Sequence, residues 1–261
     1  MPDDPAPLRR FHADRLTVNV YPTRAALGRG AGQAAAGWLR SRLARQRRVR
    51  AIFACAPSQN EFLAALAGMP GIDWRRVVAF HMDEYVGLAA SHPASFRRYL
   101  RANLGALVPL GQLYEIAGDA PDVVAECLRY EQLLREEPVD LVCLGIGENG
   151  HVALNDPPVA DFRDPRMVKV VDLDHACRRQ QVNDGCFPAL AAVPQRAITL
   201  TVPALLTGAR LFCVVPGARK APAVKATLEG AITTACPASI LRTHPAATLY
   251  IDCDAAALLT P

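Results

Sequence analysis

The chain has 261 residues, 51% of them hydrophobic and 21% charged, with a formal net charge of +4. That length suits one large domain or two small ones, and the apolar content supports a sizeable core. The basic residues gather in RSRLARQRRVR at 40–50, which reads as a solvated helix face and the turn after it. No recognition motif or aromatic platform accompanies that charge, so nucleic-acid binding is not expected.

In chain order, MPDDPAPLRRFHADR carries no apolar leader, and no run of eighteen apolar residues could span a membrane. A strand is predicted over 16–20 (LTVNV), a helix over 23–45, a strand over 49–55 (VRAIFAC) and a helix over 59–68. Next come a strand over 77–82 (VVAFHM), helices over 94–104 and 121–136, and a strand over 140–146 (DLVCLGI). The segment 157–195 is less regular, with five prolines. It reads as a lid or insertion, although VKVVDL (168–173) within it has strand character. A strand over 197–202, a helix over 203–208, a strand over 211–216, a helix over 219–229 and a strand over 247–252 complete the chain. The strands are apolar without strict alternation, the pattern of strands covered on both faces. Their alternation with helices predicts a single α/β domain over 1–261, a doubly wound, mainly parallel sheet with helices on both faces.

Eight cysteines include no CxxC pair, and several sit inside apolar runs such as LVCLG and LFCVVPG. Buried free thiols in a reducing, cytoplasmic compartment fit this better than disulfides or a zinc site.

Sheets of this kind bind ligands beyond the carboxyl ends of their strands. Four such places carry chemistry: APSQNE (56–61), DEY (83–85), GENGHVALND (147–156) and GARK (217–220). Asp83 and Glu84 close a buried strand, where a carboxylate can be tuned to act as a base; a bare acid pair there also reads as a cap or turn. His151 follows a glycine turn with Asn149 and Asp156 close by, a set able to shuttle a proton; a capped turn with a satisfied histidine is the alternative. Gly147 and Gly150 permit close backbone approach of a ligand. Lys220, at a predicted helix start after a glycine, suits a phosphate, with donors at Ser58 and Gln59; a solvated lysine is the alternative. The G-x-G at Gly145 lacks the spacing of a dinucleotide fingerprint.

These residues carry a resemblance. FHMDEYVGL (80–88), SFRRYL (95–100) and LGIGENGHVALNDPP (144–158) resemble the signatures of the glucosamine-6-phosphate deaminase/isomerase family. The segments at 193–230 and 236–245 are similar to its later blocks, and the likeness covers most of 50–252 in order. It implies a modified Rossmann-like fold and an aldose–ketose isomerisation with loss of ammonia, on a sugar phosphate and without metal or organic cofactor. By the same resemblance Asp83 is the general base between C2 and C1, His151 assists ring opening, Asp156 orients that histidine, and Lys220 binds phosphate. The oligomeric state is left open, a homo-oligomer being compatible.

The chain departs from the family pattern in several places. Asn149 stands where Asp is usual, and Asp156 replaces a glutamate. The phosphate loop reads APSQNE, without glycine and with Glu61 as an added anion. Gly185 in NDGCF (183–187) takes the place of a lid arginine, for which Arg178, Arg179 or Arg242 are the available substitutes. Two other readings remain at this point: a sugar lactone hydrolase of the 6-phosphogluconolactonase type, whose pattern MDEYVGL does not match, and a non-catalytic sugar-phosphate-binding regulator.

Overall fold

The computed structural model describes residues 6–260. Its elements run β1 (Arg9–Ala13), β2 (Leu16–Tyr21), α1 (Arg24–Leu43), β3 (Val49–Phe53), α2 (Asn60–Ala67), β4 (Val77–His81) and β5 (Asp83–Tyr85). They continue with α3 (Phe96–Leu100), β6 (Gln112–Tyr114), α4 (Val123–Arg135), β7 (Leu141–Leu144), β8 (Val168–Asp172), α5 (His175–Asn183) and β9 (Arg196–Leu200). The last are α6 (Val202–Leu206), β10 (Arg210–Val215), α7 (Ala221–Glu229) and β11 (Ala247–Asp252).

The main sheet has eight strands in the order β1-β2-β11-β10-β7-β3-β4-β6. All neighbours are parallel except the β1–β2 hairpin at one edge. Successive residues of each strand point to opposite faces. In β7, Val142 and Leu144 join a core with Tyr130 and Leu134 of α4 and Val224 of α7, while Leu141 and Cys143 join a core with Leu27 and Leu39 of α1 and Leu63 of α2. Two-faced burial is why these strands read as continuous apolar runs. Glycines bring α1 close to its neighbours: a Cβ at Gly28 would lie 2.6 Å from Glu61 Cβ, and one at Gly32 would lie 2.9 Å from the Leu66 amide.

All eight expected strands form, but two belong elsewhere. β8 and β9 leave the parallel sheet and pair antiparallel with each other and with β5 in a second, three-stranded sheet. β1, β5 and β6 are additional; they are short, and β1 and β6 expose polar residues at sheet edges, so neither period nor propensity marks them. Helix α5 is also additional, a polar nine-residue helix inside the segment read as irregular. The cysteines are unpaired, and six of the eight are buried. Among the described residues no helix is long and apolar enough to cross a membrane.

Candidate active site

Strands β10, β7, β3 and β4 lie side by side and parallel, so their carboxyl ends open on one edge of the sheet. There a pocket is lined by Ser58 and Gln59 after β3, Asp83 after β4, Gly147 and His151 after β7, and Lys220 after β10. Gln181 of α5 closes it from the opposite side. The topology therefore gathers residues that lie up to 162 positions apart in the chain, from Ser58 to Lys220.

Asp83 sits where the chain passes from β4 of the main sheet to β5 of the small one. The buried His81 fixes this junction: its Nδ1 lies 2.8 Å from the Asp83 carbonyl, and its Nε2 accepts the Ile116 amide at 2.9 Å. One nitrogen must donate and the other accept, so the ring is neutral, in keeping with burial that lowers its pKa. Asp83 is only 6% exposed, and its carboxyl receives no hydrogen bond from a described residue. Burial first, and the charge of Glu84 second, push its pKa up to about 8. It is a carboxyl held at the edge of ionisation and facing the pocket.

Glu84 points the other way. Its carboxylate accepts the Ser95 hydroxyl at 2.7 Å, the Arg97 amide at 3.0 Å and Arg97 Nε at 3.2 Å, and it also takes the Tyr85 and Phe96 amides. Its acceptor capacity is spent at the start of α3, and it does not line the pocket. The structure thus corrects its expected place beside the chemistry. DEY and SFRRYL are neighbouring motifs because Glu84 ties one to the other.

The turn after β7 builds a second cluster. Gly150 has φ of +83°, a left-handed conformation that favours glycine, and a Cβ there would lie 2.8 Å from Cys236 Sγ. His151 stacks over Gly147, and its Nδ1 lies 2.9 Å from Asp156 Oδ1, off the line of a straight N–H···O bond. Asn149 is the hub: its carbonyl accepts the His151 amide at 3.1 Å, and its Nδ2 donates to Asp156 Oδ1 at 2.9 Å. The Asp174 amide gives Asp156 a further donor at 3.3 Å. Burial pushes the Asp156 pKa up, but His151, Asn149 and the Asp174 amide outweigh it and hold the carboxylate below its ordinary range. An aspartate at 149 has no N–H to give, so the departure Asn149 and the short Asp156 are matched to each other.

Cys177 of α5 completes this cluster. Ligand atoms of His151, Asp156 and Cys177 lie within 4.8 Å of one another. Burial first, and the charge of Asp156 second, push the thiol well up. A thiol held protonated beside a carboxylate is not a ready metal-ligand set.

Lys220, lining the same pocket, is 8% exposed, and its ammonium makes no hydrogen bond or close ion pair with a described residue; burial lowers its pKa. Gln59 is anchored by its Nε2, which donates to the Val214 carbonyl and to Ser58 Oγ, each at 3.1 Å. Glu61 turns away from the pocket and pairs with Arg24 at 2.8 Å, so it is not the anion facing a ligand that its position suggested. None of the arginines considered as substitutes lines the pocket. Arg178 is bound to the Leu190 and Val193 carbonyls, Arg242 pairs with Asp14, and Arg179 is exposed. Gly185, with φ of +74°, ends α5, where the Cys186 amide bonds back to the Gln181 carbonyl; a glycine there serves the chain reversal.

Sequence reasoning missed His81, Cys177 and Gln181. Gln181 is 8% exposed, lines the pocket, and its side chain makes no hydrogen bond with a described residue. The one sequence clue was the polar CRRQQVN run, which marks nothing unless a helix is expected there.

The family model for glucosamine-6-phosphate isomerases/6-phosphogluconolactonase matches residues 22–170. A glucosamine-6-phosphate deaminase of Geobacillus sp. (strain WCH70) is 38% identical over 192 residues, 72% of this chain and 74% of that one. One from Exiguobacterium sp. (strain ATCC BAA-1283 / AT1b) is 39% identical over 71% of both chains. Among solved structures, a monomeric glucosamine-6-phosphate deaminase superposes with a TM-score of 0.84 at 28% identity, covering 93% of this chain and 99% of that one. The 6-phosphogluconolactonase of Thermotoga maritima, at 18% identity and a TM-score of 0.74, shares the fold. With the site motifs in the same order along the chain, this protein belongs to the glucosamine-6-phosphate isomerase/6-phosphogluconolactonase family.

Proposed function

We propose that the protein is an amino-sugar-phosphate deaminase, converting a 2-amino-2-deoxy-aldose 6-phosphate into the ketose phosphate and ammonia. The observation that carries this reading is the unpaired, pocket-facing carboxyl of Asp83, with a pKa pushed up to about 8. A proton next to a carbonyl is removed by a base whose pKa lies near the working pH. Asp83 takes the proton from C2 of the open-chain sugar and returns one to C1. The resulting C2 imine adds water and expels ammonia, which leaves the ketone. The substrate's own ammonium supplies positive charge beside Asp83, which favours the ionised base when the sugar is bound.

His151, steadied by Asp156 and Asn149, moves the proton between the ring oxygen and the C1 hydroxyl as the ring opens. Gly147, without a Cβ, leaves the room that the His151 ring occupies at the pocket wall. Lys220 holds the phosphate, with Ser58 and Gln181 as neutral donors. Burial of an unpaired ammonium is costly, and an incoming dianion removes that cost.

The pocket has a volume of about 60 Å³, against the roughly 300 Å³ or more of ordinary ligand sites. Segment 157–195 therefore acts as a lid, with α5 withdrawing to admit the sugar. Arg219 latches it, pairing with Asp184 at 3.0 Å at the end of α5 and with Glu148 at 3.5 Å in the turn after β7.

The test is ammonia release from glucosamine 6-phosphate, run beside hydrolysis of 6-phosphogluconolactone. Ammonia release that disappears in Asp83→Asn supports the proposal. Lactone hydrolysis without ammonia release, or binding of the amino sugar without turnover, refutes it.

A further inference from the structure

We propose that a cleft at the opposite edge of the sheet is a second anion site, for a small ligand carrying two or more phosphate groups. It lies where β3, β4, β6 and β7 begin, at the far end of the strands from Asp83 and His151, and has a volume of about 890 Å³. Its walls carry five arginines, Arg42, Arg47, Arg48, Arg75 and Arg76, and two carboxylates, Glu137 and Asp140.

Both carboxylates are already engaged. Asp140 Oδ1 accepts Arg42 at 2.6 and 3.2 Å, and its Oδ2 takes the Arg50 amide at 2.9 Å. Glu137 takes the fork of Arg48. Arg76 donates to the carbonyls of Arg47, Leu43 and Gln46 at 2.6–2.7 Å, where the end of α1 leaves acceptors free. These contacts pin three guanidinium groups in place. Arg47 and Arg75 remain exposed, and neither guanidinium makes a hydrogen bond or close ion pair with a described residue.

A solvated basic face spreads its charges apart. Here five cations line one hollow with two carboxylates, each carboxylate already paired with one arginine, so three positive charges are left without a counter-charge. The guanidinium fork matches phosphate oxygens, and the hollow is of ordinary small-ligand size. Arg47 follows α1 and Arg75 lies in the turn before β4, and with Arg76 they leave three positive charges on one cleft, a set that a ligand with more than one anionic group would balance. This is where the basic run at 40–50 is spent. No part of the inference depends on the reaction at the other edge.

The experiment is calorimetric titration with inorganic triphosphate and with orthophosphate. It uses the wild type, the double variant Arg47→Ser/Arg75→Ser, and Lys220→Met as a control for the sugar pocket. Triphosphate is expected to bind at least tenfold more tightly than orthophosphate, with affinity falling as salt rises. The double variant should lose about tenfold or more of that affinity, since each lost charge-assisted bond is worth roughly that factor, whereas Lys220→Met should keep it. Both altered arginines are exposed, so the variant should melt within about 2 °C of wild type. Equal binding of triphosphate by wild type and the double variant overturns the proposal. So does loss of triphosphate binding in Lys220→Met, which would place the anion in the sugar pocket.

Discussion

The His151 ring lies so close over Gly147 that a Cβ on that glycine would fall 2.1 Å from Cε1. No real Cβ contact is that short, and the whole ring face is involved, so a methyl there must turn the imidazole away from Asp156. Gly147→Ala should therefore fold but lose about two decades of turnover, the usual worth of a positioned acid–base group. A steady-state assay beside a melting curve checks this; a variant with wild-type turnover would show that the His151 orientation is unimportant.

Asp83 predicts two pH dependences of opposite benefit. The base must be ionised, so kcat/KM should rise as pH rises through about 8. Stability should run the other way. The folded chain keeps a proton that the unfolded chain has already lost, so this group's contribution is whole below about pH 4 and is lost as pH rises through about 8. Asp83→Asn removes both effects, and its melting temperature should gain on the wild type as pH is raised from 5 to 9. A difference in melting temperature that does not change with pH would mean that Asp83 is already ionised in the free protein.

Asn149→Asp replaces the donor to Asp156 with a like charge. The Asp156 pKa is held low in the wild type, so its stabilising contribution is present above the unfolded carboxylate range and is lost as pH falls through the folded value. Raising that value shrinks the contribution, and acid unfolding should begin at higher pH in the variant. The midpoint of acid unfolding, followed by circular dichroism, decides it. An unmoved midpoint would mean that the amide donation from Asn149 contributes little.

Lys220 and Gln181 should separate by size of effect. Lys220→Met should cost roughly 10- to 100-fold in the preference for a sugar 6-phosphate over the free sugar, the worth of a charge-assisted bond. Gln181→Leu keeps the volume and removes only neutral donors, so KM should rise about two- to tenfold with kcat nearly unchanged. Equal affinity for the two sugars in the wild type would show that the pocket does not recognise phosphate.

Glu84→Gln should act on the fold before the chemistry. It removes the buried one of the two carboxylates that pair with Arg97, which is 6% exposed at its side chain and keeps Asp119 at 2.8 Å, so the cost is about 1.5–3 kcal/mol, that of a lost charge-assisted bond. Denaturant unfolding should show that loss. A loss under 1 kcal/mol, with turnover abolished, would return Glu84 to the reaction.

The parallel sheet and the polar residues at its carboxyl edge are legible in the amino-acid sequence. Strands buried on both faces must be apolar throughout, so 49–55, 77–82, 140–146 and 211–216 announce themselves, and ligand chemistry is confined to the few polar residues that follow each. Asp83, His151, Asp156 and Lys220 were legible for that reason, and they line or adjoin one pocket. The second sheet was not legible, because an apolar run such as 197–202 satisfies a parallel or an antiparallel partner equally well. Residue type and position alone do not separate Asp83 from Glu84. They are adjacent acids, and only the direction of each side chain from β5 decides that one faces the pocket and the other ties down α3. The partners of Glu61, Arg178 and Arg242, and the place of Gln181 on α5, were likewise settled by three-dimensional proximity. Charge and hydrogen-bonding capacity are written in a residue's name, but whether they meet a ligand or a neighbour depends on which distant segment the fold brings within 3 Å.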